Sequence, residues 1–380
     1  MHIAHIGVNV GPPLLSTRGG AIQRRIMEMA RAQVAQGHHV VAYSTGAQAE
    51  TRWVDGVEVR FVPCRLPLPF RHAEFQLRVL GQIGRAPCDV AHFHSQPEGA
   101  LLTRGRARCT VLTYDYFLFR GGRRGPLGGL YRWMLRRFDA LLPCSDYCAA
   151  ESSAYWDLPA ERVHVVYNGV NLAQFRPDSV AGAHHRALVP GTGPVLLYVG
   201  RVCTQKGTDV LLDAVAALQR SQPVRLVIAG PMGQFGEHID EEAWRARIAA
   251  VGGTYLGAVE DADLAGIYNA CDVFVMPTRA QEMFGMAAVE AQACGKPVVA
   301  SDHGGLREVV PEACGARVPV GDAAALAAAV AALLGDDARR AAAGEAAIAN
   351  AARFRWGRIT EDLDAVYRRV CPGDATASVC

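Results

Sequence analysis

Lysine is almost absent from this chain. Of 39 basic residues only Lys206 and Lys296 are lysines, and arginine supplies the rest. A lysine kept against such a bias marks a position that needs a compact, strongly hydrated point charge, not a planar fork. Long apolar runs are missing too: no stretch reaches the roughly 18 residues that a membrane-spanning helix requires. The opening MHIAHIGVNV reads as a strand and lacks the charged start and apolar core of a secretion signal. The net charge is only +2, which excludes a global basic field for nucleic acid or a membrane surface. Eleven cysteines are scattered without a paired CxxC and histidine set; Cys144 and Cys148 stand alone. They read as small buried hydrophobes in a reducing, cytoplasmic setting, which excludes a disulfide framework or zinc site. The dinucleotide fingerprint is also lacking. After the first strand the glycines are Gly7 and Gly11, and no acid ends the second strand near Tyr43–Thr45, so a nicotinamide enzyme is excluded.

What is present is an alternation of strand and helix patterns. Half of the residues are hydrophobic and a fifth charged, as in a globular protein, and 380 residues suffice for two domains. Strands are expected at 3–8, 39–44, 57–63, 90–94 and 110–114, with helices at 23–35, 74–84 and 130–138. The segment 168–194 is polar and dotted with Gly and Pro and reads as an interdomain connection. A second strand–helix series runs from Val195 to about Leu334, a helical Ala-rich stretch covers 323–352, and residues 372–380 read as a disordered tail. The pattern predicts an α/β protein with parallel, doubly wound sheets.

Two motifs carry chemistry. In VLLYVGRVCTQKGTDVLLDAVAAL, an apolar strand runs into Gly200-Arg201, then Lys206-Gly207 and a helix. Two cations in a strand-to-helix loop beside a helix N-terminus make a diphosphate clamp. In PTRAQEMFGMAAVEAQACGKPVVASDHGGLREVV, residues 277–310, Glu282 and Glu290 stand eight positions apart. A helix starting near Phe284 would present the amides of Phe284, Gly285 and Met286 to phosphate or sugar oxygens. The carboxylates, acceptor-only groups, would then meet hydroxyls at either end of a nucleotide sugar. Lys296, at a helix-to-strand turn, reads as a structural partner of a helix dipole.

The strings GRVCTQKG, EMFGMAAVEAQACGKPVVASDHGG and VHVVYNGVNLAQFRP resemble the retaining nucleotide-sugar glycosyltransferases of family four. So does LLSTRGGAIQRRIMEMARAQVAQGHHVVAYS, which is most similar to bacterial spore-coat-type members. The likeness runs from Ile3 to about Val370. It implies the GT-B architecture, two facing Rossmann-like domains around a central cleft that closes on substrates. The domains would be 1–170 with a returning helix at 358–371, and 171–357. It further implies transfer of a sugar from a UDP- or GDP-linked donor with retained configuration, and it points to natural-product, antibiotic or cell-surface glycan biosynthesis. Arg201 and Lys206 would stabilise the diphosphate, Glu290 would hold ribose and Glu282 the transferred sugar. No protein nucleophile, metal or other cofactor is implied. His94 resembles the histidine that orients the donor sugar, and alternation sends His92 to the same face, leaving open which of them faces the sugar.

Departures and traps remain. Tyr114-Asp115 stand where relatives often carry a histidine beside an aspartate, and Asn171 stands where an aspartate is usual, so a capping role survives without the charge. Gly19 and Gly20 open the first helix and offer amides to a phosphate or the acceptor. The acids Glu260, Asp261 and Asp263 suggest a metal-binding DxD but precede an amphipathic helix, with Asp261 as its N-cap. The acceptor is either a small polar molecule framed by residues 114–124 or a lipid headgroup met by the basic stretch 120–137. A small acceptor is favoured because 130–138 is short for a membrane-seating helix. A nucleotide-sugar epimerase on the same fold would need additional acid/base carboxylates. A cofactor-dependent phosphorylase would need a Schiff-base lysine, and a degenerate sugar binder would not keep Arg201, Lys206, Glu282 and Glu290.

Overall fold

The computed structural model describes residues 1–7, 14–15, 21–67, 70–84, 86–101, 107–114, 125–233 and 239–371. The chain divides into two compact units, Met1–Gly169 with the chain from Trp356 onward, and Val170–Arg355. Among the described residues, no helix is long and apolar enough to cross a membrane.

The first unit is built on a seven-stranded sheet in the order β3-β4-β2-β1-β5-β6-β7. Its elements are β1 (His2–Ile6), α1 (Ala21–Ala35), β2 (His39–Gly46), β3 (Glu50–Val54), β4 (Val57–Pro63), α2 (Phe70–Ile83), β5 (Cys88–His94), β6 (Ala107–Tyr114), α3 (Pro126–Leu135), β7 (Ala140–Pro143) and α4 (Asp146–Trp156). All pairings are parallel except β3 with β4. That hairpin turns at Asp55-Gly56, both with positive φ (50° and 80°), as a two-residue hairpin turn requires. Central strands buried on both faces explain the near-continuous apolar runs in β1 and β5.

The second unit carries a six-stranded parallel sheet in the order β10-β9-β8-β11-β12-β13. It comprises α5 (Ser179–Ala187), β8 (Val195–Val199), α6 (Thr208–Leu218), β9 (Arg225–Ala229), α7 (Glu241–Ala250), β10 (Thr254–Gly257), α8 (Asp261–Ala270), β11 (Val273–Met276), α9 (Met286–Ala293), β12 (Val298–Ser301), α10 (Leu306–Val309), β13 (Gly315–Val318), α11 (Ala323–Leu334) and α12 (Asp337–Ala351). Aspartate side chains cap α5, α7, α11 and α12. The cap at Asp336 splits the expected single helix 323–352 in two, because Gly335 and Asp336 end one helix and start the next. The stretch read as a connection contains α5, whose Gly182 presses on the Asn269 carbonyl of α8.

The last helix, α13 (Trp356–Val370), belongs to the first unit. Its Trp356, Ile359, Leu363 and Tyr367 form one stripe at helical spacing, packed with Ile3, Val90, Val111 and Leu142 of the sheet. Gly169 lies under the Trp356 ring so closely that a Cβ there would be 2.3 Å from it.

Candidate active site

In each sheet the strand order reverses at one point, between β1 and β5 in the first unit and between β8 and β11 in the second. Loops leaving the carboxyl ends of the strands diverge there, and open α/β sheets bind ligands in that crevice. The two chemical motifs of the sequence lie on the two loops that flank the reversal in the second unit.

The loop after β8 is pressed onto the loop after β11. Gly207, at φ 70°, lies where a Cβ would come within 1.8 Å of the Pro277 carbonyl oxygen, so only glycine fits. The Gln205 carbonyl accepts the amides of Arg279 at 2.9 Å and Ala280 at 2.8 Å, and the Thr278 hydroxyl at 3.3 Å. This stitching brings Lys206 Nζ to 2.7 Å from Glu282 Oε2. Both side chains keep some solvent contact, 26% and 17%. Glu282 is held from the other side as well: its carbonyl accepts the Gly305 amide at 2.8 Å, and a Cβ on Gly305 would come within 2.2 Å of the Met283 carbonyl oxygen. Arg201 follows β8 directly, its carbonyl accepting the Tyr198 hydroxyl at 2.6 Å.

Helix α9 begins at Met286, two residues later than the sequence suggested. Gly285 adopts φ 100° and serves as its cap, so Phe284 and Gly285 precede the helix and the first-turn amides are those of Met286 and Ala287. The Phe284 ring is buried edge-to-face on Phe354, 5.5 Å between centroids, and packs the core. Glu290 lies on the second turn of α9, buried, and accepts the Tyr268 hydroxyl of α8 at 2.8 Å. The structure thus joins Lys206 to Glu282 and places Glu290 on the helix that the Glu282 loop leads into. The tyrosine partner of Glu290 was missed, since Tyr268 looks like any apolar-face residue of an amphipathic helix.

Lys296 donates from Nζ to the Asn269 carbonyl at 2.9 Å, serving the C-terminal turn of α8 and not its own helix. Asn171 Oδ1 accepts the amides of Ala173 at 3.0 Å and Gln174 at 3.2 Å, a turn-capping role. The N-cap of α8 is Glu260, not Asp261; Asp261 and Asp263 fall in its first turn, where the dipole favours acids.

The first unit departs further from expectation. Gly19, Gly20 and Asp115 lie outside the described residues. Tyr114 is buried, its hydroxyl 2.8 Å from that of Ser152 of α4. His94 is likewise buried, together with His5 and His92, at the strand reversal of this sheet. His92 and His94 do share a face, their rings 4.4 Å apart. Neither lines an open surface, because both are consumed by a hydrogen-bonded chain. Arg25, which can only donate, lies 3.4 Å from His94 Nδ1. His94 Nε2 must then carry the proton and donate to His5 Nδ1 at 2.9 Å. His5 Nε2 donates to Gln33 Oε1 at 2.6 Å, and the Gln33 amide donates to the Tyr367 hydroxyl at 3.4 Å. Tyr367 donates to His92 Nδ1 at 2.6 Å, and His92 Nε2 donates to Thr113 Oγ1 at 2.5 Å. Burial keeps all three imidazoles neutral, and the Arg25 charge adds to it, as do neighbouring rings at His92 and His94; at His5, where the Gln33 hydrogen bond opposes it, the pKa is still lowered to about 4. One ring nitrogen from each of the three histidines lies within 4.8 Å of the other two, a spacing that suits a metal ion. Every one of those nitrogens is already engaged, and a cation there would have to sit beside the Arg25 guanidinium.

Comparison with known proteins adds the decisive observation. The model for group 1 glycosyl transferases matches residues 183–350, and that for Glycosyltransferase Family 4 matches residues 19–174. The D-inositol 3-phosphate glycosyltransferase 1 of Catenulispora acidiphila is 33% identical, over 93% of this chain and 92% of its own length. This chain belongs to the family-four glycosyltransferases. The D-inositol 3-phosphate glycosyltransferase of Jonesia denitrificans is 31% identical over 92% of this chain and 91% of its own. Among solved structures, sucrose-phosphate synthase of Thermosynechococcus elongatus superposes with a TM-score of 0.82 at 22% identity, covering 97% of this chain and 99% of its own. HepE of Anabaena, solved with UDP-glucose, superposes with a TM-score of 0.77 at 20% identity, covering 96% and 99%. The fold of this glycosyltransferase is therefore GT-B, with two Rossmann-like parallel-sheet units, and its donor is a nucleotide sugar.

Proposed function

We propose that this glycosyltransferase moves a sugar from a UDP- or GDP-linked donor to a small polar acceptor, with retention of configuration and without a metal. The observation that carries this reading is the Lys206–Glu282 pair, 2.7 Å long, on the two loops flanking the strand reversal of the second sheet. A diphosphate approaching there meets Lys206, Arg201 and the first-turn amides of α9, which together accept the charge that develops as the glycosidic bond breaks. As it arrives, Lys206 exchanges its carboxylate partner for phosphate oxygens. Glu282 is released to accept a hydroxyl of the sugar being transferred, while Glu290 holds the ribose. The acids of the DxD-like stretch stand at the N-cap and in the first turn of α8, where the helix dipole favours them, in keeping with a metal-independent clamp. A small polar acceptor is supported by the relatives named for D-inositol 3-phosphate, a small polyol bearing a phosphate.

Product analysis tests the reading. Incubated with UDP- and GDP-sugars and D-inositol 3-phosphate, the enzyme should yield a new glycoside whose anomeric proton coupling matches that of the donor. The yield should persist in excess chelator. An epimerised donor, a free sugar phosphate, an inverted anomer, or activity lost to chelator and restored by magnesium or manganese would each contradict it.

A further inference from the structure

Three cysteines meet where the last helix returns to the first sheet. Strands β5 and β6 pair with Cys88 opposite Ala107, Val90 opposite Cys109 and His92 opposite Val111. Side chains two positions apart on a strand share a face, so Cys88, Val90 and Cys109 look to one side of the sheet. That side is the one α13 covers, since Val90, Cys109 and Val111 pack with Trp356, Ile359, Leu363 and Tyr367. Cys371 falls four residues beyond Tyr367, its amide still donating to the Tyr367 carbonyl at 2.8 Å, so it prolongs the same stripe by one turn. There it packs against this cluster, and its thiol donates to the Asp89 carbonyl of β5 at 3.4 Å.

The Cys109 and Cys371 thiols are hydrogen-bonded to each other. With the Cys371 S–H directed at Asp89, the Cys109 S–H is the donor of that contact. Every described cysteine is a free thiol, and of these three Cys371 is the one that reaches solvent. Burial pushes the Cys88 thiol up to about 12, and burial with the neighbouring Cys371 thiol pushes Cys109 higher still. Both therefore stay protonated at neutral pH and are poor first targets for an oxidant. The three sulfurs are not a metal set, because the histidine trio is the group of three ligating atoms that lie within 4.8 Å among the described residues.

We propose that Cys109 and Cys371 are an oxidisable pair, joined as a disulfide by a hydroperoxide and parted again by a thiol reductant. Cys371, the accessible partner, loses its proton and attacks the peroxide; the O–O bond breaks, a sulfenic acid forms, and the departing hydroxide takes up the proton as water. The Cys109 sulfur then attacks the Cys371 sulfur. The S–OH bond breaks, the S–S bond forms, and the Cys109 proton leaves with the hydroxide as a second water. Two thiols are oxidised and one peroxide is reduced to two waters. The first unit is made of two separate stretches of chain, and this bond joins them covalently. It also pins the turn of α13 that carries Tyr367, whose hydroxyl donates to His92 at the strand reversal. The pair lies within the first unit and does not depend on the donor chemistry of the second.

Peptide mapping with thermal unfolding tests it. The full chain, reduced and then freed of reductant, is exposed to a small molar excess of hydrogen peroxide and digested without reduction. A crosslinked peptide pair holding Cys109 and Cys371 should appear, lighter than its separate peptides by two hydrogens. The oxidised protein should melt roughly 5 °C above its reduced form, because the bond closes a long loop in the unfolded chain. Dithiothreitol should erase both changes. Cys371→Ser alters a partly exposed thiol, so the reduced variant should melt with the reduced parent, and peroxide should no longer raise its midpoint. Cys88→Ala, compared with its own reduced form, should keep the crosslink and the shift. The proposal is overturned if the two thiols survive peroxide, or if Cys371 is recovered as a sulfinic or sulfonic acid or joined to Cys88 or Cys380. A shift that persists in Cys371→Ser overturns it equally.

Discussion

Replacing Lys206 with alanine is expected to lower turnover at saturating donor by roughly 10²–10³-fold, the cost of removing one preorganised electrostatic partner from a charge-developing transition state. The reason is positional. Lys206 is held at the lip of the second sheet by the Gln205 carbonyl and by the close seating of Gly207 on Pro277, so in the proposed clamp its ammonium is in place before the leaving group acquires charge. The fold should hardly notice. A partly solvated ion pair such as Lys206–Glu282 contributes about 1 kcal/mol or less to stability. Arg201→Ala should also lose turnover heavily, and Arg201→Lys should recover only part of it, because a point charge does not replace a planar fork. Steady-state kinetics beside thermal unfolding separate the two effects. Turnover of the Lys206 variant within a few-fold of the parent would show that the clamp lies elsewhere.

Acid should destabilise the first unit steeply. His5, His92 and His94 are buried and neutral when folded, with pKa values lowered from 6.5, His5 to about 4. Between those limits the unfolded chain binds protons that the folded chain excludes, so stability is full above the unfolded value and falls as pH drops through 6.5 toward 4. Each histidine removes about 1.4 kcal/mol per pH unit in that window, and three together about 4 kcal/mol per unit at the steepest. Protonation also reverses the chain of donors: a His94 imidazolium turns a second N–H on the Arg25 guanidinium. Denaturant unfolding at intervals from neutral pH to pH 4.5 should show the decline, and His92→Gln should reduce its slope. His2, His72 and His164 are also lowered by burial, so the variant comparison isolates the buried trio. A flat profile through the window would mean that the trio is not buried and neutral.

Much of the fold was legible because its signals are local. The strands Val57–Pro63 and Val195–Val199 are apolar, β-branched runs bounded by turns, and they occur where the sequence put them. The edge strand β3 was missed although Asp55-Gly56 is a hairpin signal, because ETRWV shows no apolar face; as an edge it needs none. Helix α5 was hidden by surrounding polar and Gly/Pro residues, yet its Asp178 cap was readable. In the site, Lys206, Glu282 and Glu290 could be singled out by residue type and spacing. Their partners could not, since Lys206–Glu282 spans 76 positions and depends on a carbonyl, that of Gln205, which leaves no trace in residue type. The His-x-His pair was visible, but its burial was not. That depends on Arg25, Gln33 and Tyr367, the last of them 275 positions from His92. Similarly, Tyr114 reads as a cleft residue from its neighbours in sequence, and only the fold shows Ser152 opposite its hydroxyl.

The division of labour between the two glutamates is the centre of this account, and calorimetry with UDP and GDP, which carry ribose and diphosphate but no sugar, tests it most directly. In Glu290→Gln the affinity for the nucleoside diphosphate should fall, because the ribose loses an acceptor held in place by Tyr268. In Glu282→Gln it should stay the same or tighten, because Lys206 loses the carboxylate that competes with phosphate for its ammonium. Weaker nucleoside diphosphate binding in the Glu282 variant with unchanged binding in the Glu290 variant would contradict the account and exchange the roles of the two ends.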